Sequence, residues 1–210
     1  MKITKAGFEI MSAINGSEML RHIEQCGRVC YKSEAVITED SYIKFIRNII
    51  SRGHESVLEH ASFSVRFIVD RGVSHEIVRH RMASYSQEST RYCNYSSGKF
   101  NREITVIEPC FFEKDSIQYK AWEKSCLTAE EEYFVMLDSG ATAQMARSVL
   151  PNSLKTELIM TANLREWRHF FKLRTAGGAH PQMREVAMPL LQSLKKEIPV
   201  IFDDIEVTYA

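Results

Sequence analysis

No stretch of this 210-residue chain approaches the ~20 consecutive apolar residues that a membrane span needs. Met1-Lys2-Ile3-Thr4-Lys5 also lacks the apolar core and small-residue cleavage site of a secretion signal. A soluble, cytoplasmic protein with no membrane partner is therefore expected. Net charge is absent too: 27 lysines and arginines meet 27 aspartates and glutamates. Domains that track a nucleic-acid backbone carry a clear basic excess, so no nucleic-acid partner is expected. Cysteine is sparse and unpaired in pattern. Cys26, Cys30, Cys93, Cys110 and Cys126 make an odd count with no CxxC, which suits buried thiols in a reducing compartment better than a disulfide framework or a metal cage. No G-x-G-x-x-G follows a predicted strand and no G-x-x-x-x-G-K-[ST] occurs, so a nucleotide cofactor would have to be held by other means. Repeats, linkers and low-complexity segments are missing as well. Residues 1–210 read as one domain, long enough to bury a core without staples.

What is present is a mixture of two periodicities. Tyr42, Phe45, Ile46, Ile49 and Ile50 fall at helical spacing and predict a helix over Glu39 to Ser51, with Gly53 as its stop. Phe63, Val65, Phe67 and Val69 alternate with Ser64, Arg66 and Ile68, which predicts a half-buried strand ending at Asp70-Arg71-Gly72, and Val73 to Val78 mixes apolar and polar residues like the end of a half-buried helix. A second strand is expected near Ile104 to Ile107, a long helix over Asp115 to Ser139, and a shorter one from Thr142 to Leu150. Further on, a strand over Glu157 to Thr161 leads into a helix over Leu164 to Arg174. The last helix opens at Pro181, and Pro189 should kink or split it before Lys195-Lys196. Helices and separated strands that do not alternate regularly point to an α+β fold.

The densest chemistry lies between residues 79 and 92. Arg79-His80-Arg81 is followed after seven residues by Ser89 and then by Arg91-Tyr92. A basic triplet alone is most often a solvated helix face. Here, though, it leads into Met82 to Glu88, which is neither periodic nor loop-like in composition. Guanidinium forks match phosphate oxygens two at a time, so the cluster asks for a multiply charged anion such as a nucleotide. Ser89 has no histidine and aspartate arranged around it for triad logic, which favours a phosphate contact over a nucleophile. In His75-Glu76-Ile77-Val78-Arg79 an arginine stands where H-E-x-x-H needs its second histidine, so no metal is expected.

The Arg79-His80-Arg81, seven-residue gap and Ser89 pattern resembles the signature of flavin-dependent thymidylate synthases. The likeness extends to Gly53-His54-Glu55-Ser56, Glu59-His60, Arg147 before Leu150-Pro151, Asn163 and Leu173-Arg174. The resemblance implies an antiparallel-rich sheet flanked by long helices, assembled as a homotetramer whose sites are shared between subunits. It also implies conversion of dUMP to dTMP, with 5,10-methylenetetrahydrofolate as one-carbon donor and NADPH-reduced FAD as hydride source. For FAD it indicates His54, Ser56, Arg79, His80, Arg81, Gln87, Asn163, Arg165 and His169. For dUMP it indicates Glu76, Arg79, Gln87, Glu88, Ser89, Thr90, Arg91, Arg147 and Arg174, with Arg174 as the catalytic group at the uracil ring. Gln87, Glu88, Glu76 and His169 depart from the residues common in that family. Because an acid beside a phosphate repels it, Glu76 and Glu88 are expected to serve through their backbone or to face outward.

Two other readings compete. Tyr85, Tyr92 and Tyr95 interleaved with Arg79, Arg81 and Arg91 resemble an RNA-stacking platform, against which net neutrality argues. A flavin enzyme acting on some other phosphorylated metabolite would share the arginines, and only the set Ser89, Arg91, Arg147 and Arg174 favours dUMP over it.

Overall fold

A computed structural model describes residues 1–207. In chain order its elements are β1 (Lys2–Thr4), β2 (Gly7–Ile10), α1 (Gly16–Val29), α2 (Ser41–Ser51), β3 (Ser62–Asp70), α3 (Arg71–Ile77), β4 (Ala83–Gln87), β5 (Thr105–Ile107), α4 (Ile117–Asp138), α5 (Ala143–Ala146), β6 (Lys155–Asn163), α6 (Leu164–Arg174) and α7 (Pro181–Glu197). Short 3-10 turns add Glu55–His60 before β3 and Arg147–Val149 after α5. Two compact units result. The first comprises Met1–Gly7, Phe67–Arg79 and Tyr85–Ile159; the second comprises Phe8–Arg66, His80–Ser84 and the chain from Met160 onward.

A four-stranded sheet has the order β2-β3-β6-β4, and β1 pairs with β5 in parallel, Lys2 opposite Thr105. β2 runs antiparallel to β3: Met11 N–H bonds the Ser64 carbonyl at 3.0 Å while Glu9 meets Arg66 two residues further along. β3 and β6 are antiparallel as well. Ser64 and Thr161 share a hydroxyl bond at 2.7 Å, and Arg71 N–H reaches the Leu154 carbonyl at 3.2 Å. The alternation that predicted β3 appears in both strands, with Phe63, Val65, Phe67 and Val69 buried on one and Thr156, Leu158, Met160 and Ala162 on the other.

Each of these strands turns straight into a helix. Asp70 is the last residue of β3 and the cap of α3, its carboxylate accepting the Val73 N–H at 2.6 Å. The strand ends at Asp70 as expected, and the helical character read over Val73 to Val78 belongs to α3, which Asp70 starts as its N-cap. Asn163 does the same for α6, accepting the Glu166 N–H at 2.9 Å. At the other end of the chain, α7 continues through Pro189 without splitting. Proline removes one helical hydrogen bond. Burial of Val186, Ala187, Leu190, Leu191 and Leu194 on both sides of it holds the helix together.

In the first unit Tyr95, Ile104, Val106, Tyr133, Ala146 and Leu154 form the core, with Cys126, whose thiol burial pushes up to about 11. In the second, Phe63 stacks on Trp167 with ring centres 4.7 Å apart, and Phe170, Phe171 and Phe202 pack edge-on in succession. Arg168 lies inside this unit at 1% exposure. Its guanidinium grips Asp204 with two bonds of 2.6 and 2.8 Å, meets Glu55 at 3.1 Å and bonds the Ile201 carbonyl, so every face of the buried charge is met. The same fork holds the Asp204 carboxyl below its ordinary range. Removing one partner of a buried ion pair costs roughly 3–5 kcal/mol. Both carboxylates keep some water, so Arg168→Met is expected to lose about 3 kcal/mol in urea unfolding; a loss under about 1 kcal/mol, the range of surface pairs, would contradict the structural role.

Candidate functional site

In the first unit, β4 delivers the residues that follow it into a tight turn. The Ser89 carbonyl accepts the N–H groups of Tyr92 and Cys93 at 3.1 and 2.8 Å, and its hydroxyl accepts the Arg91 N–H at 3.3 Å. Thr90 is buried beneath, and Arg147, at the end of α5, donates to its hydroxyl at 3.5 Å. Ser89, Thr90, Arg91 and Arg147 are thus gathered, with both arginine side chains exposed at the surface. Hydroxyls and guanidiniums in one turn suit a phosphate dianion. Gln87 anchors the end of β4, its amide donating to Ser74 and Thr156 hydroxyls at 2.9 and 3.3 Å. Arg79 is exposed just past α3, its N–H on the Glu76 carbonyl.

Of the two roles expected of Glu88, through its backbone or facing outward, its side chain does not take the outward one. Its carboxylate accepts from the Tyr95 hydroxyl at 3.2 Å and pairs with Lys155 at 3.1 Å, and Lys155 also holds Glu157 at 2.8 Å. Burial works against the charged lysine, but the two carboxylates more than offset it and raise its pKa. Burial and the adjacent Glu88 hold the Tyr95 phenol far above its ordinary range, a protonated donor. An acid this enclosed needs a cation, and Lys155 supplies it within the strand pair.

In the second unit, five of the candidates, His54, Ser56, Asn163, Arg165 and His169, line two cavities. One, of about 330 Å³, is lined by Asn163, Arg165, Glu166, His169 and Lys172 on α6 and its cap, with Glu55, Glu59 and Met82 opposite. The other, of about 440 Å³, contains His54 and Ser56 together with Arg28, Tyr31 and Arg52. His54 is set there by the way α2 ends: Gly53 takes φ +71°, and the N–H groups of Gly53 and His54 return to the carbonyls of Ile50 and Ile49. Arg81, next to Met82, is exposed.

His80 is buried between two charged side chains. Its Nδ1 lies 2.9 Å from Glu166 Oε1, and its Nε2 receives the Arg174 Nε–H at 3.1 Å. An arginine Nε–H only donates, so Nε2 carries a lone pair and the ring proton sits on Nδ1, donated to Glu166. Burial lowers the pKa of His80, the Glu166 hydrogen bond opposes it, and the Arg174 charge lowers it further. The ligand atoms of His80, Glu166 and His169 lie within 4.8 Å of one another, a spacing that can hold a metal. Here both ring nitrogens of His80 are engaged, one of them by a permanent cation, which disfavours a second cation at the same atoms.

Residues 12–200 match the family model described as thymidylate synthase complementing protein. This chain belongs to that family. Among its relatives, the flavin-dependent thymidylate synthase of Geobacter sulfurreducens is 36% identical over a match covering 84% of this chain and 78% of that protein. That of Corynebacterium aurimucosum is 31% identical, covering 96% and 85%. The Pyrococcus furiosus protein of the same name is 38% identical, but the match covers only 65% of its length. Among solved structures, a UMP/dUMP methylase, PolB from Streptomyces cacaoi, crystallised with 5-Br dUMP, superposes with a TM-score of 0.76 at 25% identity, over 96% of this chain and 95% of that one. Membership in the thymidylate synthase family accords with the resemblance carried by the Arg79-His80-Arg81 to Ser89 motif.

Sequence reasoning passed over Glu166, Lys155 and Lys172. Asn163 followed by Glu166 is the spacing of a capping box, which would have assigned the glutamate to its own helix start. Its carboxylate instead goes to a histidine 86 positions away. Because the folded pKa of His80 lies below the unfolded value of about 6.5, the unfolded chain takes up this proton first on acidification. The stability contributed is full above about pH 6.5 and is lost as pH falls from there toward the folded pKa. Urea unfolding of the wild type should weaken between pH 7 and 5 more than that of His80→Gln; equal slopes would contradict the buried neutral imidazole.

Proposed function

We propose that this protein converts dUMP to dTMP, taking the one-carbon unit from 5,10-methylenetetrahydrofolate and releasing tetrahydrofolate, with NADPH as reductant. The observation that carries the substrate assignment is the Ser89-Thr90-Arg91 turn with Arg147 against it, inside a family of thymidylate synthases. Ser89, Thr90, Arg91 and Arg147 hold the nucleotide phosphate, joined by Arg79 and the backbone of Gln87 and Glu88. Glu76 stands at the substrate edge through its carbonyl turn. Arg174 faces the uracil ring and offsets the negative charge that builds there when C5 becomes nucleophilic. No cysteine nucleophile is required, which agrees with a buried Cys126 held as a thiol.

The α6 cavity fits a flavin dinucleotide in its chemistry. Arg165, Lys172, His169 and the Asn163 amide supply donors for a pyrophosphate, while Glu55 pairs with Arg168 and Lys172 and Glu59 with Arg165. FAD, when bound, supplies the hydride that completes the methyl group. His54 and Ser56 serve the same cofactor from their own cavity, with His54 against its ring or that of the folate, and Arg79, Arg81 and Gln87 complete the set. His80 is buried with both ring nitrogens bonded to protein, so it acts through Arg174.

A cavity of about 330 Å³ sits at the low end of ligand sites, roughly 300–1,000 Å³. That supports a homotetramer whose subunits complete one another's sites. The proposal extends to one functional domain over 1–210, whose last three residues lie outside the described ones, with long helices flanking the sheet, working in the cytoplasm. No helix among the described residues is long and apolar enough to cross a membrane.

Purified protein is expected to show a flavin band that NADPH bleaches, faster or with a spectral shift when dUMP is present. A colourless protein that neither takes up FAD nor responds to dUMP would overturn this reading and favour RNA binding. Arg147→Ala should raise the dUMP requirement roughly 10- to 100-fold, the worth of the ~1.5–3 kcal/mol of hydrogen bonds to a charged group. Mixed oligomers of Arg174→Ala and Arg81→Ala chains should regain activity; no recovery would count against shared sites.

A further inference from the structure

Of the side chains around the site, Glu166 has no task in the reading above, yet it is buried to 9% exposure and aimed at His80. It stands in the first turn of α6, and its backbone N–H is held by the Asn163 cap at 2.9 Å, so the carboxylate is carried on a fixed base. Arg174 occupies the last turn of the same helix. Helical rise puts positions 166 and 174 on one rod about 12 Å apart, and His80 bonds both side chains across the interval. The ring is itself packed, with Phe170 at 5.0 Å and His169 at 5.4 Å between centroids, so it has little freedom to tilt.

We propose that Glu166 is a positioning residue for Arg174: it holds the His80 proton on Nδ1, and the lone pair thereby left on Nε2 anchors the Arg174 guanidinium. Donor count decides the tautomer. A neutral imidazole has one donor and one acceptor. With a carboxylate at Nδ1, only the Nδ1–H form satisfies both partners, and the other nitrogen must accept. Were the proton on Nε2, it would face the Arg174 Nε–H donor to donor, and the carboxylate would face a lone pair. Glu166 therefore selects the tautomer, and the tautomer fixes the plane of the guanidinium at its Nε. Because α6 carries both ends of this chain of bonds, its rigidity sets where Arg174 points.

The inference rests on the reading of Arg174 as the group that meets the uracil ring, and its first test is independent of that reading. In protein labelled with ¹⁵N-histidine and free of cofactor, the His80 resonances, identified by their loss in His80→Gln, should show a pyrrole-like Nδ1 and a pyridine-like Nε2 near neutral pH. Glu166→Gln, whose amide can donate or accept, should move His80 toward a mixture of tautomers; Glu166→Asp should keep the Nδ1–H form and serves as the second variant if the amide variant fails to fold. In the loaded enzyme, Glu166→Gln should lower kcat for dTMP formation roughly 10- to 100-fold, the usual cost of losing an orienting hydrogen bond, with the dUMP KM changed by less than about threefold. Glu166→Asp should restore most of kcat. An unchanged tautomer in Glu166→Gln, or a changed tautomer with unaltered kcat, would overturn the proposal. Nδ1–H selection in a wild-type protein that makes no dTMP would instead uphold the bond chain and sink the thymidylate reading.

Discussion

The antiparallel pairing of β3 with β6 is the constraint from which the candidate site follows. Both strands run into helices with no loop, and at each junction the first helical residue still bonds the opposite chain: Arg71 N–H to Leu154 and Leu164 N–H to Ala61. A single polar cap, Asp70 on one strand and Asn163 on the other, makes the switch from a period of two to a period of 3.6 at a fixed residue. A slip of one residue in the ladder would turn each strand's buried face to water and shift both caps together. Register in the sheet thus fixes the start of α3, which leads to Arg79, and of α6, which carries Arg165, Glu166, His169 and Arg174.

Charge is then arranged locally on a chain with none overall. Enclosed ions are paired: Arg168 with Glu55 and Asp204, and Glu88 with Lys155. Arg79, Arg81, Arg91 and Arg147, which the phosphate reading needs, are among the arginines exposed at the surface. His80 belongs to neither class. It is buried, neutral and bonded at both nitrogens, and its single proton ties an acid to a base along one face of α6.

Where structure came from local periodicity, it was legible in the sequence. The strand through Phe63 to Val69 and the helices over 41–51 and 164–174 lie within a few residues of their expected bounds, because one buried face writes its period into the chain. α1 went unread although Asn15, capping Glu18 N–H at 3.2 Å, marks its start. β4 offered no such mark: Ala83-Ser84-Tyr85-Ser86-Gln87 is polar and half exposed, a strand only because β6 lies beside it. The parallel pair β1 and β5 joins segments about a hundred residues apart, and nothing local announces it. For the candidate site, the motif offered candidate residues but not their orientation. Glu88 turning to Tyr95 and Lys155, and Glu166 to His80, are long-range ion and hydrogen-bond choices that depend on the completed fold.

The most direct test of the central claim is the product. Purified protein supplied with FAD, NADPH and 5,10-methylenetetrahydrofolate would be given dUMP and UMP in separate reactions, and the nucleotides identified by mass. The account predicts dTMP from dUMP, dependent on both the folate and the reductant. A flavin-loaded protein that is reduced by NADPH yet leaves dUMP unmethylated, or that methylates UMP alone, would contradict it.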